Sequence, residues 1–384
     1  METFLIEHNC SPLTLVQDIY EQELNNLLKI FVILYADDTV LLADTRTGMQ
    51  NALDLFQLYC NQWKLEVNVN KTKIIIFCKR KSTENFEFRL QNTLIEIVDS
   101  FSYLWLMFKY NGNFCDARKK LANQAQKSLF SIYKNIRNQN IPTDIQLKLF
   151  DAMVEPILLY GSEIWGYENG KIIEQVHLSF CKRILKVRSS TPNFMVYGEL
   201  GRFPLELRIK TRMLSYWCKL VNSEEKLSCL MYNVLYSLKN NGMQCFKWLN
   251  CIESIFNDIG LTYIFTNQTG HIDVNYVTRL LQDQFIQNWF SDIANASRGE
   301  FYSLFKKEFN LEKYLLNLPE QKRIWITKLR TSNLRIPVET DRWSNVLRHE
   351  RICTLCNTNI GDEFHVLFTC PNATMVDLRN SFFT

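Results

Sequence analysis

The chain has no apolar run approaching the roughly eighteen residues that span a bilayer; its richest one, Ile30 to Ala43, is broken by Asp37 and Asp38. A membrane span is therefore not expected. The first residues, METFLIEHNCSPLT, show no signal-peptide cleavage pattern, and they do not read as the start of a domain. Without a secretory context, the twelve cysteines scattered over 384 residues read as thiols rather than as a disulfide framework. The expected location is intracellular, nuclear or cytoplasmic, and not secreted. Internal repeats and low-complexity tracts are also missing, and so is a strong net charge, which is only +4. What is present, 47% hydrophobic and 22% charged residues, suits a folded protein of two or three domains and excludes wholesale disorder. The charge is unevenly placed. Between Gln321 and Arg351 eight Lys and Arg face three Asp and Glu, a local excess of +5 that fits either a phosphate-bearing partner or a solvated face.

Two adjacent carboxylates between apolar, β-prone flanks are costly to bury, so IFVILYADDTVLLA at Ile30 to Ala43 predicts a hairpin with Asp37-Asp38 at its turn. On these residues alone a solvated turn and a divalent-cation site both remain open. Upstream, Thr14 to Leu28 reads as a helix. Downstream, Met49, Ala52, Leu53, Phe56, Tyr59, Cys60 and Trp63 recur at helical spacing, with Asp44 or Thr45 as N-cap. Leu65, Val67 and Val69 then alternate with polar residues before a buried strand at Ile74 to Phe77. Phe86 to Val98 reads as a second hairpin turning near Asn92-Thr93. Past Leu104 the pattern turns helical. Leu121, Ala125, Leu129, Ile132 and Ile136 keep one apolar face, while Arg118, Lys119, Lys120, Lys127, Lys134 and Arg137 supply a basic remainder. A further helix over Asp144 to Leu159 ends at breaks at Gly161 and Gly166, and helices dominate from Lys171 to Leu318. His177 and Cys181, four apart on a predicted helix, lack further ligands and read as packed or surface residues.

At the C-terminus Cys353, Cys356, His365 and Cys370 are spaced C-x2-C-x8-H-x4-C. Three thiols and an imidazole in two pairs suit tetrahedral Zn2+, and a unit this small folds on its metal, so the expected role is structural. The alternative is a chance cluster of buried cysteines. Arg342, Arg348 and Arg351 just before it would add nucleic-acid contact.

YADD at Tyr35 to Asp38 resembles the polymerase signature of reverse transcriptases, and several segments downstream of it resemble their non-LTR (LINE-type) retrotransposon branch. Met49 to Trp63 with LEVNVNKTKIIIF at Leu65 to Phe77 looks like the end of the palm, and FSYLW at Phe101 to Trp105 like the primer grip. PILLYGSEIWG at Pro156 to Gly166, NFMVYGELGRFPL at Asn193 to Leu205, KLRTSN at Lys328 to Asn333 and CTLCNTNIGDEFHVLFTCP at Cys353 to Pro371 are similar to later segments, in the family's order. The resemblance implies an α+β fold: a partial palm over residues 1–100, thumb-like helices over 101–166, an α-helical region over 167–318, and a basic segment with a zinc unit over 319–384. It implies RNA-directed DNA synthesis from deoxynucleoside triphosphates, with RNA template, DNA primer and Mg2+. Asp37 would be the main Mg2+ ligand and Asp38 the weaker one; Tyr35, Ala36, Tyr103 and Leu104 would border the primer end. Lys71, or secondarily Lys73, would assist the pyrophosphate or is an ordinary turn lysine. Lys119, Lys120, Lys127 and Lys134, with Arg348 and Arg351, would follow the nucleic-acid backbone.

The departures shape the expectation equally. A two-metal polymerase needs a further carboxylate on a preceding strand, yet only 36 residues precede Asp37 and none of Glu2, Glu7, Asp18, Glu21 or Glu23 sits in an apolar strand. HNCSPLTLVQDIY at His8 to Tyr20 looks like an altered copy of the family's upstream block, with Asn9 at a usual glycine. Lys64 and Trp105 also replace usual glycines, and a tryptophan at a close approach would push the backbone or the primer aside. The expectation is therefore an N-terminally truncated reverse transcriptase, inactive alone and without an endonuclease. The alternatives are a non-catalytic nucleic-acid-binding remnant and a degenerate element with no selected function.

Overall fold

The computed structural model describes residues 3–8, 32–78, 86–136, 139, 141–223, 227–243, 245–296, 298–299 and 301–383. The helix expected over Thr14 to Leu28 lies outside these residues. The chain forms two compact units: one of Met1–Gln124, Ile157–Gly170 and Ile209–Val274, the other of Ala125–Pro156, Lys171–Arg208 and Asn275–Thr384.

The first unit is built on a five-stranded sheet. Its strands are β1 (Thr3–His8), β2 (Val32–Tyr35), β3 (Asp38–Ala43), β4 (Lys73–Phe77) and, past two short strands β5 (Arg89–Leu90) and β6 (Thr93–Leu94), β7 (Glu96–Ile97), in the order β2-β3-β1-β4-β7. Between β3 and β4 runs α1 (Arg46–Gln62), which starts where the Thr45 hydroxyl accepts from Gly48 N at 3.0 Å. Alternation sends Leu41, Ile74 and Ile76 to one face of the sheet, where Met49, Leu53, Phe56 and Cys60 of α1 cover them. Val40 and Ile75 take the opposite face beneath a hairpin, β8 (Ser100–Tyr103) and β9 (Leu106–Lys109). The alternation at Leu65 to Asn70 yields no strand. Asn68 instead organises a turn, its carbonyl accepting from Lys71 N and Thr72 N, both at 3.1 Å, and only Val67 of the three apolar residues is buried.

The second hairpin forms in part: β5 and β6 pair around Gln91 and Asn92, at φ 51 and 62, one residue before the expected turn, while Glu96–Ile97 joins β4 as β7 instead of completing the second arm. The same unit has a helical part, where Trp217 of α6 (Leu205–Asn222) donates to Tyr232 of α7 (Leu227–Asn240) at 2.8 Å and packs on Phe256 of α8 (Lys247–Asp258). Gly166 is required there. A β-carbon on it would lie 2.5 Å from Ile209 and 2.7 Å from Met213.

The second unit is helical: the C-terminal part of α2 (Cys115–Ile136), then α3 (Thr143–Met153), α4 (Lys171–Ile184), α5 (Asn193–Leu200), α9 (Val274–Ala294), α10 (Glu320–Arg330) and α11 (Ala373–Phe383). Met195, Trp289 and Tyr302 form an apolar centre. Beside them, the fully buried Glu199 takes the Arg330 guanidinium at 2.9 Å and the Tyr314 hydroxyl at 2.6 Å, so its charge is paired where water is absent. His177 and Cys181 are both buried. Arg202 Nε lies 2.9 Å from His177 Nε2, and the Glu174 carboxylate 2.8 Å from its Nδ1.

Candidate active site and metal centre

The hairpin closes one residue earlier than the sequence suggests. Tyr35 pairs with Asp38, so Ala36 and Asp37 form the two-residue turn, Ala36 at φ 53. Asp37 stands exposed at the tip, Asp38 opens β3 half-buried, and Tyr35 is exposed beside them. The parallel registers set Lys73, the first residue of β4, level with Phe4 and Val40, so β4 begins at the end of the sheet where Asp38 stands. Lys71 precedes the strand, in the turn that Asn68 organises. Lys73 itself is committed elsewhere, donating to Glu96 at 2.7 Å and to Asn70 O at 2.8 Å. Tyr103, at the end of β8, completes the corner: burial raises its phenol, and the neighbouring charge of Asp38 and the Tyr35 hydroxyl raise it further. Leu104 and Trp105 turn the β8–β9 hairpin, and the Leu104 carbonyl accepts from Tyr160 at 2.7 Å.

One expectation about carboxylates is corrected. Glu7 does lie in a strand, the central β1, but opposite Ala43 and Ile76. That is five residues along the backbone from the level of Asp38, or ~16 Å. Among the described residues no third His, Cys, Asp or Glu joins Asp37 and Asp38 in a metal-holding group. The pair itself suits Mg2+, a hard cation that keeps several waters and takes one or two carboxylates together with substrate phosphates.

The basic residues divide. Arg118 is buried, its guanidinium held by Glu168 and by the Asn169 carbonyl, so it anchors α2 instead of facing solvent. Lys120 donates to Ser102 at 3.0 Å and Lys119 lies 3.8 Å from Asp116. In the second unit Lys127 and Lys134 are exposed on α2 on either side of an exposed Phe130. Arg348 is exposed. Arg351 spends its donors on the carbonyls of Val338 and Val346, at 2.8 to 3.0 Å, and braces the loop before the cysteines.

Cys353, Cys356, His365 and Cys370 converge, with all four ligand atoms within 4.8 Å of one another. Cys353 Sγ lies 4.0 Å from Cys370 Sγ, and Cys356 Sγ 3.2 Å from His365 Nε2. Tetrahedral Zn2+ with its usual bond lengths would hold such atoms roughly 3.4–3.8 Å apart, so the donor set and the spacing fit. Local structure explains the convergence. A bridge between Ile352 and Ile360 and the left-handed Asn357 at φ 57 fold the Cys353–Cys356 loop back, and Cys353 N donates to Asn359 O at 2.8 Å. Gly361 must lack a side chain, because a β-carbon there would meet Pro337 at 2.8 Å and Cys353 Cα at 3.0 Å. Asp362 accepts from His365 N at 2.7 Å and fixes the turn that presents the imidazole. The Thr358 hydroxyl, 3.1 Å from Cys356, holds that thiol down at about 6, whereas burial raises Cys370.

Residues 9–107 match the family described as Reverse transcriptase (RNA-dependent DNA polymerase), a stretch that runs through the YADD hairpin to the β8–β9 turn. The chain is 28% identical over 157 residues, 40% of its length and 56% of the relative's, to a putative uncharacterized transposon-derived protein of Caenorhabditis elegans. It is 20% identical over 180 residues, 45% of its length and 19% of the relative's, to the RNA-directed DNA polymerase from mobile element jockey of Drosophila melanogaster. In both cases the chain spans less than two thirds of the relative's length. No solved structure matches. No described helix is long and apolar enough to cross a membrane. Together with the two-residue turn at Ala36–Asp37, the family match and the two relatives make this chain similar to the reverse transcriptases of non-LTR retrotransposons.

Proposed function

We propose that the corner made by Asp37, Asp38, Lys71 and Tyr103 is the metal-binding end of an RNA-directed DNA polymerase site, and that this chain does not polymerise by itself. The observation that supports the first half is the register of the sheet, in which β3 and β4 start at the same end, so that the turn carrying Lys71 lies on the side where the YADD turn projects. Bound there, Mg2+ would lower the pKa of a primer hydroxyl and neutralise triphosphate charge. Asp37 and Asp38 hold the ion, Lys71 attracts the leaving pyrophosphate, and Tyr35, Ala36, Tyr103 and Leu104 border the primer end. RNA template and DNA primer are the partners, contacted through Lys119, Lys120, Lys127, Lys134 and Arg348. The Cys353, Cys356, His365 and Cys370 unit holds a structural Zn2+.

The second half rests on the described residues: the Glu7 backbone lies toward the other end of β1 from Asp38, and among the described residues no other acidic group joins the pair. The same observation favours, as a second reading, a chain that binds nucleic acid without catalysis. Primer extension on an RNA template with Mg2+ decides between them. No product is expected from the purified chain, while a template-primer hybrid still binds. Extension that disappears in Asp37→Ala would overturn the inactivity, and failure to bind any template-primer would overturn both readings.

A further inference from the structure

The second unit contains an open cavity of about 540 Å3 lined by Lys186, Arg188, Trp325, Lys328, Asn333 and Arg335, and no carboxylate lines it. Trp325, on α10, is 61% exposed, and the Lys328 ammonium one turn later lies 5.2 Å from its ring centroid. A second indole, Trp343, is 62% exposed and carries the Arg188 guanidinium over its face at 4.6 Å. Stability does not ask for this arrangement: two large apolar rings stay in water, and Arg188, Lys328 and Arg335 repel one another, while Lys186 lies 3.9 Å from Glu320. A strand of flat bases with one phosphate per base would relieve both, because bases stack on exposed aromatic faces and phosphates neutralise the cations.

Two further observations separate the groove from the general basic character of residues 321–351. Several basic residues of that segment are used up internally: Arg330 by Glu199 and Glu312, Arg342 by Glu339 at 3.3 Å, and Arg351 by backbone carbonyls. Among the described residues no carboxylate pairs with Arg188, Lys328 or Arg335. The groove is also rigid. Buried Asn333 accepts from Arg188 N at 3.2 Å and from Thr191 Oγ1 at 3.0 Å, and donates to Thr331 O and Oγ1, both at 2.8 Å. This ties the loop after α4 to the end of α10, so the cations and the indole are held ready before any ligand arrives. A neighbouring cavity lined by Arg183, Arg323 and Glu320 shares Lys186 and prolongs the basic track.

We propose that this groove binds single-stranded nucleic acid, RNA or DNA, with a base stacked on Trp325 and the phosphates followed by Arg188, Lys328 and Arg335. Trp343 offers a second platform. The binding needs neither divalent metal nor the YADD carboxylates, so it stands independently of the polymerase reading. The test is fluorescence anisotropy of a labelled twelve-residue oligo(U) or oligo(dT) on the full chain. Trp325→Ala is expected to weaken binding about 5- to 150-fold, the range for losing one stacked base. Trp325→Phe should recover part of the loss, which a merely structural role would not allow. The pair Lys328→Ala and Arg335→Ala should lower the slope of log K against log salt by roughly 1.4, the value for two phosphate contacts on a single strand. Trp325 is exposed, so an unchanged circular dichroism spectrum is expected to separate loss of the site from loss of fold. Wild-type binding by Trp325→Ala would overturn the proposal. So would equal competition by an abasic strand or inorganic polyphosphate, which would mark an anion site without stacking, or equal binding of a duplex. Asp37→Ala with Asp38→Ala should leave affinity intact; a loss there would place the strand at the hairpin and overturn the assignment.

Discussion

Replacing Lys64 and Trp105 by glycine should stabilise the first unit, and the gain follows from two backbone angles. Lys64 ends α1 at φ 54, with Leu65 N donating to Cys60 O at 2.8 Å and Lys64 N to Asn61 O at 3.3 Å, the pattern of a helix stop whose left-handed position favours glycine. Trp105 is the second residue of the β8–β9 turn, at φ 67 after Leu104 at φ 45, and this turn also favours glycine. A β-carbon in that region costs ~1–2 kcal/mol. Glycine returns ~0.5–1 kcal/mol of that through the entropy of the unfolded chain. The net gain is about 0.5–1 kcal/mol per site. Little packing is lost, because Lys64 is exposed and Trp105 is 75% exposed. The two turns are separate, so the double variant should gain ~1–2 kcal/mol and its thermal midpoint should rise by roughly 2–8 °C. Lys64→Ala and Trp105→Ala are the controls, since they remove the side chain and keep the β-carbon. Unfolding followed by circular dichroism reads all four. If the alanine variants gain as much as the glycine variants, or if glycine lowers the midpoint, the strain reasoning fails.

Two other outcomes are expected. The purified chain should carry one zinc ion by elemental analysis, and Cys353→Ser or Cys370→Ser should lower its zinc affinity at least tenfold; metal-free protein, or a Cys370→Ser variant with undiminished zinc, would sink the assignment. Burial alone would raise the Glu174 carboxyl, but the hydrogen bond and charge of His177, with hydrogen bonds from Tyr197 and Leu205 N, outweigh it and hold the group below its ordinary 4.5. Its contribution to stability is therefore complete above about pH 4.5 and is lost as pH falls through the depressed value. Glu174→Gln should unfold with a shallower acid dependence than the wild type, and identical acid profiles would contradict this.

Much of the first unit was legible because its signals are local. Apolar spacing at three and four marks α1, and a carboxylate pair between β-prone runs marks a turn. The misplaced details are those that depend on distant partners. Whether Thr3–His8 becomes a strand is settled by the free edges of β3 and β4, which no local pattern announces. Arg118 and Arg351 read as solvent-facing cations, yet the first meets Glu168 fifty residues later and the second meets carbonyls of its own loop. The glycine departures were legible as departures but not in their cause. At Trp105 the sign of φ by itself asks for glycine. At the C-terminus, cysteine spacing announced the cluster because its ligands lie within eighteen residues of one another. Arg188 and Trp325 escaped notice because 137 residues separate them.

Physics keeps the hairpin and the groove from substituting for each other. Asp37 and Asp38 repel phosphate until a divalent cation sits between them, so the hairpin acts on nucleic acid only through metal. Lys328, Arg335 and Arg188 attract phosphate directly, and a divalent cation competes with them for it. Nor can the groove position a strand end for chemistry, because stacking on Trp325 tolerates any base and fixes no register. On the proposed reading, loss of synthesis and retention of a single strand are therefore compatible, since the two depend on opposite charges carried by different units.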